Sequence, residues 1–280
     1  MTRVLVIIVS YNGMPWLERC LGSVYPGANT GQFAPDLYVW DNDSTDGSAD
    51  YVAKHFPGAH LVRSAENVGF AKANNMGFQY ALDHGYDYVY LLNQDAWLAP
   101  GALEALVAAA EAHPDYAVLS PFQYQDGYQA FDSQFAKLYH GSVEVKRIMA
   151  AHWLVPVGAL KTVGPFEEEL FPLYGQDDDW CNRARYHKLK VGIVPDAKAV
   201  HDRARRQEPK EKVIRRNYYI GSLVRLCDPN RPLWERFLFV CLFTLVKSVK
   251  YGSLLPFKYF WQICAQLPAV RRHRDFSIRC

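Results

Sequence analysis

A chain of 280 residues, half of them hydrophobic and 21% charged, has the composition of an ordinary globular protein. It has room for one large domain, or one domain with an appendage. Six scattered cysteines with no C-x-x-C pair exclude a disulfide-stapled scaffold and point to reduced thiols in a cytosolic protein.

The net charge of +2 is unevenly spread. Acidic residues gather at 41–50 and 167–179, while the segment from His201 onward is basic and rich in aromatics. That tail suits an anionic surface, a membrane or a polyanion; no nucleic-acid partner is expected. Met1-Thr2-Arg3 leads directly into six apolar residues, too few for a signal-peptide core. The longest apolar run, Phe237 to Val246, stops at Lys247, well short of the roughly 20 residues a membrane-spanning helix needs.

In chain order, Val4 to Val9 reads as a central parallel strand, and a helix follows from Pro15 to about Val24. Leu37 to Trp40 is a second strand, ending in the polar run Asp41 to Ser48, and a helix then runs to Phe56. Leu61-Val62 is a short third strand, followed by a helix from Ala71 to His84. Tyr88 to Leu92 is a buried strand. A helix from Gly101 to His113 repeats Leu103, Leu106, Val107 and Ala110 at helical spacing, and Tyr116 to Leu119 is a further strand. Residues 122–150 read as a long loop, Ala151 to Val157 as a strand, Val163 to Phe166 as a turn, and Glu167 to Glu169 as solvated. A helix starts near Gly175 and ends at His187, and Lys190 to Val194 is the last strand. Strands alternating with helices predict an α/β fold, a mostly parallel sheet flanked by helices.

Three of the early strands end in polar loops, which in such a sheet gather at one edge and suit a nucleotide. No G-x-G-x-x-G follows the first strand and no P-loop occurs, which argues against a dinucleotide cofactor and against P-loop chemistry. After the Tyr88 strand come Asn93-Gln94-Asp95. In an extended chain the first and third of these leave the same face, and paired oxygen ligands suit Mg²⁺ or Mn²⁺; the plain alternative is a turn. Asp177-Asp178-Asp179 at a helix start reads either as capping or as the seat of a general base whose pKa is raised by like charges. His201 alone is a weak signal unless the fold brings it to Asp95.

Five stretches in order resemble the family 2 glycosyltransferases, in particular the rhamnosyltransferase-like branch of bacterial surface-polysaccharide synthesis. They are Val6 to Asn12, Val39 to Ser48, Asn67 to Asn75, Leu91 to Asp95 and Gly175 to Trp180. The resemblance spans about residues 3–205 and implies a GT-A fold, a Rossmann-like nucleotide-binding domain over 1–205, with residues 206–280 as a C-terminal helical appendage. It implies inverting, metal-assisted transfer of a sugar, rhamnose by the branch resembled, from a nucleoside-diphosphate donor to a hydroxyl of a glycan or polyprenyl-linked acceptor.

Carried over by position, Tyr11, Asn12 and Asp41 would line the base and ribose pocket. Asn42, Asn67 and Asn74 would contribute around the ribose and diphosphate, and Asn93 would face the donor. Asp95 and His201 would hold a divalent cation, Mg²⁺ or Mn²⁺, and Asp177 would be the base. Two positions depart from the pattern: Asn93 stands where many relatives have Asp, and Gln176 where they have Glu. A catalytically silent relative that binds a nucleotide sugar or scaffolds an assembly complex is the rival reading.

Leu233 to Leu267 is dense in Phe, Leu, Trp and Tyr, with Lys247, Lys250 and Lys258 between them. It reads as amphipathic helices in peripheral contact with the inner face of the cytoplasmic membrane. The alternative is a helical pair packed on the catalytic domain, able to form a homodimer.

Overall fold

The computed structural model describes residues 2–25, 34–132, 135–136, 143–202 and 209–279. One eight-stranded sheet, in the order β3-β2-β1-β4-β7-β6-β8-β5, forms its centre. The first four strands, β1 (Val4–Ser10), β2 (Asp36–Asp41), β3 (His60–Arg63) and β4 (Tyr88–Leu92), pair parallel with one another, as expected. The second half is mixed. β7 (His152–Pro156) runs antiparallel to both β4 and β6 (Tyr116–Tyr124). β8 (Lys190–His201) is parallel to β6, and the short β5 (Ala96–Leu98) lies antiparallel on its end.

The strands are apolar throughout because both faces are covered. Alternate residues point to opposite sides. Leu5, Ile7, Val89, Leu91, Trp153 and Val155 pack under α3 (Phe70–Asp83), α5 (Val157–Val163) and α6 (Gln176–Tyr186). Val4, Val6, Ile8, Tyr90, Leu92 and Leu154 pack under α1 (Leu17–Gly22), α2 (Ser48–His55) and α4 (Ala102–Ala112). The same alternation that buries these side chains leaves the polar strand ends at the sheet's edge.

The tail is helical. Short helices α7 (Lys210–Ile214) and α8 (Gly221–Cys227) are joined by a π-helical turn, Arg215–Ile220. Then come α9 (Leu233–Tyr251), α10 (Leu255–Ala265) and α11 (Leu267–Arg279). They share a third core with Leu170 and Phe171, which precede α6. The tail is therefore packed on the segment that leads into the late acidic motif. The expected boundary at 205–206 lies outside the described residues.

Several expectations need correction. β6 continues to Tyr124 and β8 to His201, both beyond the apolar runs that marked them. β5 was not foreseen. α1 is shorter than the expected 15–24. Glu167 is not solvated but lies half-buried, 3.1 Å from His273 Nδ1.

Candidate active site

Because β1, β2 and β4 are parallel, their C-terminal ends share one edge of the sheet. The ladder stops there and side chains continue it. Gln94 Oε1 accepts the Tyr11 N–H at 2.8 Å, and its Nε2 donates to the Tyr11 carbonyl at 3.1 Å. A Cβ on Gly13 would lie 2.6 Å from that Oε1, so a side chain there would push Gln94 off the Tyr11 backbone. Asn12, at φ +50°, accepts the Thr45 N–H at 2.9 Å, and its own N–H donates to the Ser44 hydroxyl. Tyr11 is exposed beside them.

Asp41 is buried, and its Oδ2 accepts the Ser44 N–H at 3.0 Å. Its Oδ1 and the Ser10 hydroxyl are buried without a hydrogen-bond partner among the described residues. An unpaired buried acceptor costs about 1–3 kcal/mol, and more when charged, so a donor group reaching Asp41 Oδ1 would be favoured there. Asn42 and Asn67 are held in another way. Asn42 Oδ1 accepts the Val68 N–H at 2.9 Å, and its Nδ2 donates to Asn67 Oδ1 at 2.8 Å, which also accepts the Gly69 N–H. Asn74 is buried in α3 and donates to the Phe70 carbonyl at 2.8 Å. These amides fix the loops at this edge of the sheet.

Asn93, Gln94 and Asp95 do not extend β4. The strand ends at Leu92, and a turn closed by Ala96 N–H to the Asn93 carbonyl follows. The expected strand alternation of Asn93 and Asp95 is thus replaced by turn geometry. β5 then pairs with the end of β8, Ala96 opposite His201. His201 Nε2 comes 3.4 Å from Asp95 Oδ1, with the side chains 13% and 29% exposed.

His152 braces this strand end. The Val200 carbonyl can only accept, so His152 Nε2 donates to it at 3.0 Å, and Nδ1 accepts the Tyr90 hydroxyl at 2.8 Å. One carboxylate oxygen and one imidazole nitrogen, converging where solvent reaches them, are donor types that would suit Mn²⁺ or Mg²⁺.

α6 starts at Gly175, φ +92°, where a Cβ would lie 2.7 Å from Ile220 Cγ2; only glycine lets the helix begin against the tail. Asp177 Oδ1 accepts the Asp178 N–H at 2.9 Å, and Oδ2 faces the Ala150 N–H at 3.4 Å. The next residue, Ala151, accepts the Asn93 N–H at 3.0 Å. The helix start and the Asn93–Asp95 turn are therefore tied to consecutive residues. Burial, reinforced by the Asp178 charge, raises the Asp177 pKa to about 7, near the optimum for a base at neutral pH. Burial also raises Asp178, against the pull of Arg147, whose Nη1 lies 3.2 Å away.

Residues 5–147 match the sequence pattern of Glycosyl transferase family 2. The chain belongs to that family. It is 26% identical over 244 residues to the N-acetylglucosaminyl-diphospho-decaprenol L-rhamnosyltransferase of Mycobacterium tuberculosis, covering 73% of this chain and 78% of that protein. It is 27% identical over 153 residues to the dTDP-rhamnosyl transferase RfbF of Shigella flexneri, 51% of each chain.

Among solved structures, S. aureus TarS 1–349 superposes with a TM-score of 0.59 at 16% identity, over 86% of this chain and 69% of that one. The mannosyltransferase PcManGT from Pyrobaculum calidifontis, solved with GDP-Man and Mn²⁺, gives 0.59 at 20% identity, over 98% and 73%. The fold is GT-A.

In this family 2 glycosyltransferase the third aspartate has a separate role that the sequence did not reveal. Asp179 is fully buried and pairs with Arg183 Nε at 2.9 Å and with His273 Nε2 at 2.9 Å. Burial opposes its ionisation, but His273 and Arg183 outweigh that and hold its pKa below the ordinary carboxylate range. Asp179 is thereby removed as an alternative base.

Asp179, Cys227 and His273 do bring ligand atoms within 4.8 Å of one another. Burial pushes the Cys227 thiol well above its usual pKa, however, and His273, though burial opposes its charge, is held at about 9 by Asp179 and Glu167. A metal binding here would have to displace both of those protons. This cluster is an ion network that pins α11 to α6.

Proposed function

We propose that the chain is an inverting glycosyltransferase that moves a sugar, rhamnose by its likeness to rhamnosyltransferases, from a nucleoside diphosphate to a hydroxyl of a glycan or lipid-linked glycan. The observation that carries this reading is the convergence of two separated motifs. Asp95 meets His201, and the backbone of 150–151 ties that turn to Asp177. In this reading Asp41 Oδ1 accepts a donor group of the nucleoside, beside Tyr11 and Asn12. Asn42, Asn67 and Asn74 hold the surrounding loops, and Asn93 faces the diphosphate.

Asp95 and His201 would hold Mg²⁺ or Mn²⁺, which supplies charge neutralisation to the leaving diphosphate when bound. Asp177 accepts the proton of the attacking hydroxyl. Single displacement at the anomeric carbon needs no enzyme nucleophile and inverts its configuration.

The tail supports a peripheral contact with the membrane. Among the described residues no helix is long and apolar enough to cross one. Trp234, Leu238, Leu242, Leu245 and Val249 are nonetheless exposed along α9, with Lys247 and Lys250 on the same helix. In this reading residues 1–205 do the chemistry and 206–280 bring the enzyme to its acceptor at the inner face of the cytoplasmic membrane.

The test is a donor screen with the full chain: nucleoside-diphosphate release from dTDP-rhamnose, UDP-sugars and GDP-sugars, with Mn²⁺, Mg²⁺ or EDTA. Metal-dependent release that is lost in Asp95→Ala is the expected result. Saturable donor binding without release in the presence of lipid-linked acceptor would favour the silent relative.

A further inference from the structure

Beyond the end of β6 the chain turns back on itself. Residues Gln123 to Asp132 form a hairpin: the Gln125 N–H donates to the Ala130 carbonyl at 2.8 Å, the Asp132 N–H to the Gln123 carbonyl at 3.0 Å, and Tyr124 lies opposite Phe131. Its tip is fixed by Asp126, whose two carboxylate oxygens accept from the Arg19 guanidinium at 2.7 and 3.1 Å. Arg19 in turn stacks 3.8 Å over Trp97 of β5, the strand that pairs with His201. The hairpin is thereby tied to the Asp95–His201 end of the sheet.

Phe122 and Tyr124 are two apart on β6 and leave the same face. Phe131 leans on both, with ring centres 4.7 and 5.0 Å away. The three planes are tilted by 45° to 54° to one another, so they form a cup rather than a stack, and Phe131 stays 52% exposed in it. With Pro195 of β8 these rings line a cleft of about 400 Å³, within the range of about 300–1,000 Å³ for small-molecule sites. Asp196, next to Pro195, and Lys198 are exposed on β8, and Lys198 Nζ sits 5.7 Å from the centre of the Tyr124 ring. Apolar ring faces beside a carboxylate and an ammonium match a ligand with a C–H face and a rim of hydroxyls, which is a sugar ring. A wholly apolar partner would cover both charges without pairing them.

The cleft is linked to the proposed base by few contacts. Phe122 shares a core with Ile148, Ala150 and Trp180 of α6, and the Ala150 N–H faces Asp177. His152, at the start of β7, donates to the Val200 carbonyl, and Val200 lies opposite Tyr124. At least one strand spacing, about 5 Å, separates base from rings. A sugar on the rings is therefore a neighbour of the one whose hydroxyl meets Asp177.

We propose that Phe122, Tyr124, Phe131 and Pro195 form a second sugar subsite on the acceptor side. It stacks a pyranose ring adjoining the accepting sugar and makes the enzyme select a disaccharide or longer glycan over a monosaccharide. This rests on the transfer reading above and adds to it the length of glycan recognised.

The test uses the full chain and a panel of probes: the methyl glycosides of rhamnose, glucose and N-acetylglucosamine, and the disaccharides rhamnosyl-rhamnose, cellobiose and chitobiose. Binding is titrated by saturation-transfer NMR. At least one disaccharide binds more tightly than its monosaccharide, with the strongest transfer to the C–H protons of one ring face. Phe131→Leu, which keeps an apolar side chain at an exposed position, weakens that disaccharide about three- to tenfold, while Phe131→Tyr stays within about twofold. Asp95→Ala binds it as the wild type does.

No preference for any disaccharide, or equal binding by Phe131→Leu, would overturn the subsite. Displacement of the disaccharide by UDP or dTDP would assign the cleft to the donor base instead. Self-association of the wild type that Phe131→Leu abolishes would make it a contact between copies of the chain. Donor turnover is scored separately. Release of nucleoside diphosphate with no effect of Phe131 on the probes removes the subsite alone. Ring-dependent disaccharide binding, with no release from any donor, removes the transfer reading and leaves a glycan-binding cleft.

Discussion

Along the edge where β1, β2 and β4 end, the proposed donor side, Asn12, Asn42, Asn67 and Gln94 bond to neighbouring backbone and to one another, so the loops are fixed without a ligand. At the first turn of α6 the polar groups are left strained. Asp177 is half-buried beside another carboxylate, and Gln176 Oε1 is buried without a partner among the described residues. The first region uses polar residues to build shape, which lowers the ordering cost of binding. The second uses burial to set reactivity. Asp177 and Asp179 make the contrast within one helical turn: the same side chain is raised toward neutrality where burial is reinforced by the Asp178 charge, and held low where His273 and Arg183 face it.

The sharpest way to break this comparison is Asp177→Asn. Loss of a general base lowers turnover by about 10²–10⁴-fold with donor binding little changed. In the wild type, turnover falls on the acid side of a limb near pH 7, because the carboxyl must be ionised to accept a proton. Stability runs the other way. The folded-state pKa lies above the unfolded one, so between about pH 4 and 7 the folded state holds the extra proton, and stability drops as pH rises through that window. Asp177→Asn lacks this slope and melts higher than the wild type at pH 8. A pH–rate profile flat from 5.5 to 8 would move the base elsewhere.

The second prediction concerns the side of α6 that is fully paired. His273→Ala leaves Asp179 buried with one partner fewer, and breaking a buried pair costs about 3–5 kcal/mol. The raised pKa of His273, about 9 against the ordinary 6.5, gives stability that is present below about pH 6.5 and lost as pH rises through 9. Urea unfolding at pH 6 and pH 9.5 separates the two proteins: the wild type loses stability between those points, and the variant does not through this group. Equal slopes would mean that the α11–α6 clasp is held by apolar packing alone.

These two residues also show what a sequence can and cannot disclose. The parallel strands were legible because β1 and β4 are unbroken apolar runs. β8 was not read past Val194 because Pro195 interrupts it. The structure absorbs that proline in an irregularity, with Pro121 opposite Val194 and Phe122 opposite Lys198. That hidden extension is what carries His201 to Asp95, so the resemblance found the pair before the strand pattern did. β5 has three residues and no period to detect.

Gln94 looked like a spacer between Asn93 and Asp95 because its partner, the Tyr11 backbone, comes from another strand. His273 had one usable signal: Ala269, Val270, His273 and Ser277 share a helical face, which marks a buried histidine. Its partners, more than ninety residues earlier, were beyond any local pattern.

A smaller effect tests whether the donor-side loops are as fixed as their bonds suggest. Asn42→Ala removes the acceptor of the Val68 N–H and the donor to Asn67, a loss of about 1–3 kcal/mol. Donor KM rises while kcat with saturating donor stays near the wild-type value, since no bonded atom of Asn42 touches the reacting centre in this arrangement. A fall in kcat equal to the rise in KM would mean that the amide takes part in the reaction.

The smallest effect on stability falls on the exposed face of α9. Leu242 and Val249 are 66% and 84% exposed, so Leu242→Glu and Val249→Glu leave the melting temperature nearly unchanged, within about 0.5 kcal/mol. Their consequence is expected in sedimentation with anionic vesicles. The two carboxylates place charge on the apolar stripe beside Lys247 and Lys250, and binding falls severalfold; added salt weakens the wild type as well, because the lysines contribute through screened attraction. If the variants instead bind vesicles as the wild type does but no longer self-associate in solution, the stripe is a contact between copies of this chain. A membrane role and a dimer role make the same demand on these side chains in the folded monomer, namely that they stay uncovered, and only the choice of partner in the assay separates them.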